Sequence, residues 1–240
     1  MSSDPLPSVR SACLAGIRDG LPFLVVLTPF GLLFGVVATE AGLDLLSTLT
    51  FSVVVIAGAS QFTALALMQD HAPVLIVLAT SLAVNLRMAM YSAALTPHLG
   101  QAPLWQRALV AYFLVDATYA CAANRFEREP GWDLRRKMAY FMGAALPVCP
   151  TWYLTTIAGA LIGAGLPDWL ALDFAVPICF LAMVAPMLRT LPQVLAAATS
   201  IVVALLLAFL PWSTGVLIAA VVAMAVGAET ERRMSLRVRS

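Results

Sequence analysis

The sequence predicts an all-α, polytopic membrane helix bundle of about eight spans, some of them broken. Of 240 residues, 61% are hydrophobic and 11% charged, against about 25% charged in a soluble domain. Its apolar stretches reach the roughly 20 residues that a bilayer core requires. The gaps between them are short, and the longest polar connection runs from Arg125 to Lys137. Residues 1–240 therefore read as a single integral membrane domain.

The candidate spans are 21–39, 46–68, 73–95, 107–124, 137–163, 169–188, 191–210 and 212–228. The first carries Pro29 with Gly31 and Gly35, and the second carries Gly58-Ala59-Ser60-Gln61-Phe62. The third holds Asn85 and Arg87, and the fourth Asp116 between Tyr112 and Tyr119. The fifth contains Pro147, Pro150, Gly159 and Gly163, and the sixth Asp173 and Pro177. The seventh and eighth rest on apolar length alone. Each proline removes a helical hydrogen bond, so the first, fifth and sixth spans are expected to be interrupted. Gly31/Gly35 and Gly159/Gly163 have the small-xxx-small spacing of closely packed membrane helices.

Lys and Arg set the orientation. With the N-terminus inside, Arg10, Arg18, Arg125, Arg128, Arg135, Arg136, Lys137, Arg189, Arg232, Arg233, Arg237 and Arg239 fall on the cytoplasmic side, and Arg107 alone falls outside. Both termini are then cytoplasmic, which requires an even number of crossings. A faint internal repeat relates 20–95 to 143–210. A shift of 123 residues brings Ala41-Gly42-Leu43 onto Ala164-Gly165-Leu166 and Gly20 onto Gly143, but Ser60 and Gln61 onto Met183 and Val184. An eight-crossing count puts the halves parallel. Inverted halves would need one re-entrant span.

Several classes lack their residues. Cys13, Cys121, Cys149 and Cys179 form no close-spaced pair, and His71 and His98 are the only histidines. Metal or cofactor binding is not expected. No basic stripe points to nucleic acid, and no cleaved signal peptide is read at the N-terminus. No P-loop, H-E-x-x-H or G-x-S-x-G string is found, so an enzyme is not expected.

The informative residues are those a bilayer makes expensive. Gly58, Ala59, Ser60 and Gln61 put small side chains and an amide where an anchor would carry Leu or Val. Such a run favours a broken helix or a very close helix contact. Asp116 at mid-bilayer costs about 2.5–3.5 kcal/mol on insertion scales unless protonated, paired or hydrated. Arg87 lies roughly 12 Å from the outer end of its span and Asp116 roughly 14–16 Å from the outer end of the next. An Arg87–Asp116 pair is therefore geometrically feasible. For Asp116 a proton carrier or amine contact stands beside a structural carboxylate. For Arg87 a substrate or gate contact stands beside a structural pair. Tyr91 shares the Arg87 face and Ser81 the Asn85 face. Asp173, early in the sixth span, reads as an interface residue.

Pro29-Phe30-Gly31 with Gly35, then Ala57-Gly58-Ala59-Ser60-Gln61-Phe62, then Val84-Asn85-Leu86-Arg87 with Tyr91, resemble the AzlC family, the large subunits of bacterial branched-chain amino-acid exporters. The resemblance runs over roughly residues 14–228. One departure is Met88, where the family often has His, so no histidine role carries over. The resemblance implies gradient-driven efflux of Leu, Ile, Val or a similar amino acid across the inner membrane, with a small hydrophobic AzlD-type subunit as partner. On this reading Gly58, Ala59, Ser60, Gln61, Phe62, Asn85, Arg87 and Tyr91 form the substrate site, walled by Phe30 and Phe34, and Asp116 with Arg87 forms the proton-coupling or ion pair. The alternative is a structural or channel-like subunit whose pathway lies in the partner.

Overall fold

The computed structural model describes residues 8–163, 181, 188, 190–210 and 214–239. All regular structure among them is helical. The chain is a polytopic all-α membrane protein. Val9–Glu40, Val74–Leu99, Leu134–Gly163 and Thr214–Leu236 are each long and apolar enough to cross a membrane. It divides into two compact units, Met1–Phe62 with Val84–Leu170, and Thr63–Ala83 with Ala171–Ser240.

In the first unit, α1 (Val9–Gly20) passes through a single 3-10 turn (Leu21–Phe23) into α2 (Leu24–Glu40). This first span starts about a dozen residues before the expected 21–39. Ser8 explains the early start, because its hydroxyl caps the helix by accepting the Ser11 N–H at 3.1 Å. Asp44 likewise caps α3 (Leu45–Val54) by accepting the Ser47 N–H, and hydrogen bonding from the Ser47 side chain, then from its N–H, holds the carboxyl below the usual range. Then come α4 (Gly58–Gln69), α5 (Val74–Leu99), α6 (Leu104–Tyr112), α7 (Asp116–Arg128) and α8 (Leu134–Gly163).

The expected second and fourth spans are thus each two half-helices, parted at residues 55–57 and 113–115. Pro29, Pro147 and Pro150 do not interrupt their spans, contrary to expectation. Each sits inside a continuous helix. A proline frees one carbonyl and bends the axis, which a membrane helix packed against neighbours tolerates without parting. Pro177, Asp173, Cys179 and nearly all of span 169–188 lie outside the described residues.

The frame of this unit is α1 and α2 packed along α8. Gly143 meets Cys13, Gly16 meets Tyr140, Gly20 meets Ala144, Gly31 meets Thr155, Gly35 meets Ala160, and Gly163 meets Val36. Residue numbers rise together on both sides, so the two long helices run parallel. Three expected crossings intervene between spans one and five, and an odd number of intervening crossings leaves the two spans pointing the same way. Gly31/Gly35 and Gly159/Gly163 face one another in the same seam. In lipid such seams hold by backbone proximity and dispersion, since apolar burial gains nothing over lipid tails.

In the second unit α9 (Leu191–Leu206) packs on α10 (Thr214–Arg239). Gly227 lies against Ala196 and Gly215 against Leu207. Thr190 and Gln193 form a capping box at the α9 N-terminus.

Candidate functional site

The two helix breaks lie together on one stretch of α8. Ile56, Phe113 and Val115 pack with Ala145, Val148 and Cys149. The Tyr112 hydroxyl, at the end of α6, donates to the Val53 carbonyl at the end of α3 at 2.8 Å and lies 2.9 Å from the Tyr153 hydroxyl of α8. A carbonyl freed by one break is thus satisfied by the rim of the other. Tyr112→Phe is expected to cost about 0.5–1.5 kcal/mol through that lost bond. A melting temperature indistinguishable from the parent in detergent would count against the link.

At the first break, Gly58 opens α4 where no side chain fits. A Cβ there would stand 2.7 Å from the Phe30 ring and 2.9 Å from Trp152. Phe62 packs 5.0 Å from Phe30 and 5.4 Å from Phe34, and the Phe34 and Trp152 rings are stacked. Ala59 is half-buried, and Ser60 and Gln61 are fully buried. The Gln61 amide donates to the Ser52 hydroxyl at 3.1 Å, and Ser52 donates to Thr156 of α8 at 3.3 Å. Gln61 is therefore held by α3 and α8. Its Oε1 has no hydrogen-bond partner, and neither does the buried Thr48 hydroxyl or the Trp152 indole N–H.

At the second break Asp116 is the first residue of α7. A carboxylate is favoured there by the helix dipole. Its Oδ2 lies 3.1 Å from the Arg87 guanidinium, and its Oδ1 accepts the Tyr91 hydroxyl at 2.9 Å. Tyr91 stacks on Tyr119, one turn into α7, with centroids 4.1 Å apart. Thr118 closes the break, accepting the Val115 N–H and donating to the Phe113 and Val115 carbonyls. Arg87 Nε and Asn85 Oδ1 are buried without partners.

The structure therefore brings Arg87, Tyr91 and Asp116 together, and separately Gly58, Gln61 and Phe62 with aromatic and hydroxyl groups. Among the described residues no hydrogen bond or ion pair joins Gln61 to Arg87, Asp116 or Asn85. Sequence reasoning missed Ser52, Thr156 and Trp152. It also missed the Asp19–Arg125 pair at 2.9 Å, which Tyr140 joins at 2.6 Å and which ties α1, α7 and α8. No group of three His, Cys, Asp or Glu side chains suited to a metal occurs among the described residues.

Comparisons with known proteins identify the family of the chain. The AzlC protein family matches residues 22–166, a segment that contains both breaks. The chain is 29% identical over 187 residues to the inner membrane protein YgaZ of Escherichia coli strain K12, covering 75% of each. It is 24% identical over 155 residues to an uncharacterized membrane protein of Helicobacter pylori strain J99, covering 63% of this chain and 66% of that one. No solved structure matches it. With the family matching well over half its length, the chain belongs to the AzlC family of membrane proteins.

Proposed function

We propose that this protein is the large subunit of a secondary transporter exporting branched-chain or similar apolar amino acids across the bacterial inner membrane. An ion gradient drives it, a small AzlD-type membrane subunit works with it, and both termini are cytoplasmic. The observation that carries this reading is the meeting of two broken helices on α8, with Arg87 and Asp116 at one break. Broken helices at mid-bilayer offer N–H groups and positive dipole ends to an anionic group and freed carbonyls to a cationic one. The α4 and α7 N-termini are such ends. Arg87 Nε is free to bind a carboxylate edge, and Asn85 Oδ1 is free to accept from an ammonium. Phe30, Phe34, Phe62 and Trp152 supply an apolar wall for the side chain. The inner-membrane location is supported by the name of the E. coli relative and by the Lys/Arg asymmetry.

An apolar wall discriminates by only about 1–3 kcal/mol per methylene. Leu, Ile, Val and Met are therefore expected to compete with one another for uptake into inverted vesicles, while Lys and Asp do not compete. Inhibition of labelled leucine uptake by lysine and not by valine would remove the assignment. Reconstitution with and without the small subunit tests where the pathway lies. Transport by the small subunit alone would make this chain its structural companion.

A further inference from the structure

Three buried neutral oxygen groups meet beside the first helix break, Ser52, Gln61 and Thr156, and a fourth, Thr48, lies one turn before Ser52 on α3. Thr48, Ser52, Gln61 and Thr156 are all fully buried. Thr48 and Ser52 lie one turn apart on one face of α3, Gln61 is on α4, and Thr156 is on α8. Ser52 bonds both Gln61 and Thr156, at 3.1 and 3.3 Å. Yet Gln61 Oε1 and Thr48 Oγ1 have no partner. An orphaned buried acceptor costs about 1–3 kcal/mol, and lipid can supply no donor. Where α3 ends, further acceptors appear. Phe51 still receives the Val55 N–H and Val53 receives Tyr112, but among the described residues no backbone N–H bonds the Ser52 or Val54 carbonyl.

We propose that this cluster is a sodium-binding site, formed by the Gln61, Ser52, Thr156 and Thr48 oxygens with the freed carbonyls at the end of α3. Lone pairs outnumber donors here, and a cation satisfies several of them at once. The α3 C-terminus adds its negative dipole end. The cluster contains no carboxylate, which argues for a monovalent ion, since calcium and magnesium sites are built on carboxylates. The Ser52 and Thr156 hydroxyl oxygens, 3.3 Å apart, suit the edge of a sodium shell better than the wider shell of potassium. As the coupling ion of export, sodium rests on the transport reading above. As a bound ion it does not.

The test is the melting temperature of the full chain purified in detergent, in sodium, potassium or choline chloride at one ionic strength. Sodium alone is expected to raise it saturably, by about 3–6 °C at tenfold excess over Kd. Ser52→Ala and Thr156→Val are expected to lose that increment, and Thr156→Ser to keep it. Direct binding of radioactive sodium to the unaltered chain gives the same answer should the variants not fold. Equal midpoints in the three salts, or an increment that survives both Ser52→Ala and Thr156→Val, would overturn the site. Sodium binding with export indifferent to the sodium gradient would overturn the coupling role and leave the site standing.

Discussion

Arg87→Met and Asp116→Asn are each expected to reduce amino-acid export at least tenfold. Each strands a partner charge that the other neutralised at 3.1 Å. Breaking a fully buried pair costs about 3–5 kcal/mol. Here the side chains are 27% and 47% exposed in the protein, so about 1–3 kcal/mol is expected once that access is discounted. The double variant separates structure from function. Removing both charges leaves neither stranded, so folded protein should recover. A purely structural pair predicts that export recovers with it. A pair that contacts substrate or carries a proton predicts that folded protein returns and export does not. Recovery of both in the double variant would sink the functional assignment of Arg87 and Asp116.

The pairing of Arg87 with Asp116 was legible because burial cost and helical rise work on sequence alone. Two charges at similar depth on consecutive spans have few other partners. Gly58 was legible for a similar reason, since small residues at mid-span announce a close approach. The break at 113–115 was not. Phe113, Leu114 and Val115 carry no glycine or proline, and the parting is held by Thr118 side-chain bonds and by Tyr112. Only the tertiary structure decides whether such a threonine caps a break or faces solvent. Prolines misled in the opposite direction. Pro29, Pro147 and Pro150 each delete one bond, but their helices are gripped along their length by each other's glycines. The gathering of α8 into the site was invisible because Trp152 and Thr156 look like ordinary span residues. Their importance comes from the parallel register of α8 against α1 and α2.

That register underlies the largest expected loss of stability. Gly35→Val should leave little folded protein. A Cβ at residue 35 would stand 2.5 Å from the Ala160 nitrogen and 2.9 Å from the Gly159 carbonyl carbon, with the Thr156 carbonyl closer still. All three obstacles are backbone atoms of one helix, so no rotamer change relieves the clash. The helices must separate, and overpacking of this kind costs about 3 kcal/mol or more. In a soluble core, apolar burial would resist the separation, but in lipid it is exchanged for lipid contact at little gain. Gly31, four residues earlier, packs against Thr155 and Trp152, so the shift should carry into the aromatic wall around Phe30 and Gly58. Gly131→Ala is the control, because nothing lies within 4 Å of its Cβ position. Monodispersity and melting temperature in detergent measure both. If Gly35→Val melts within a degree of the parent, the seam is not what holds α2 to α8.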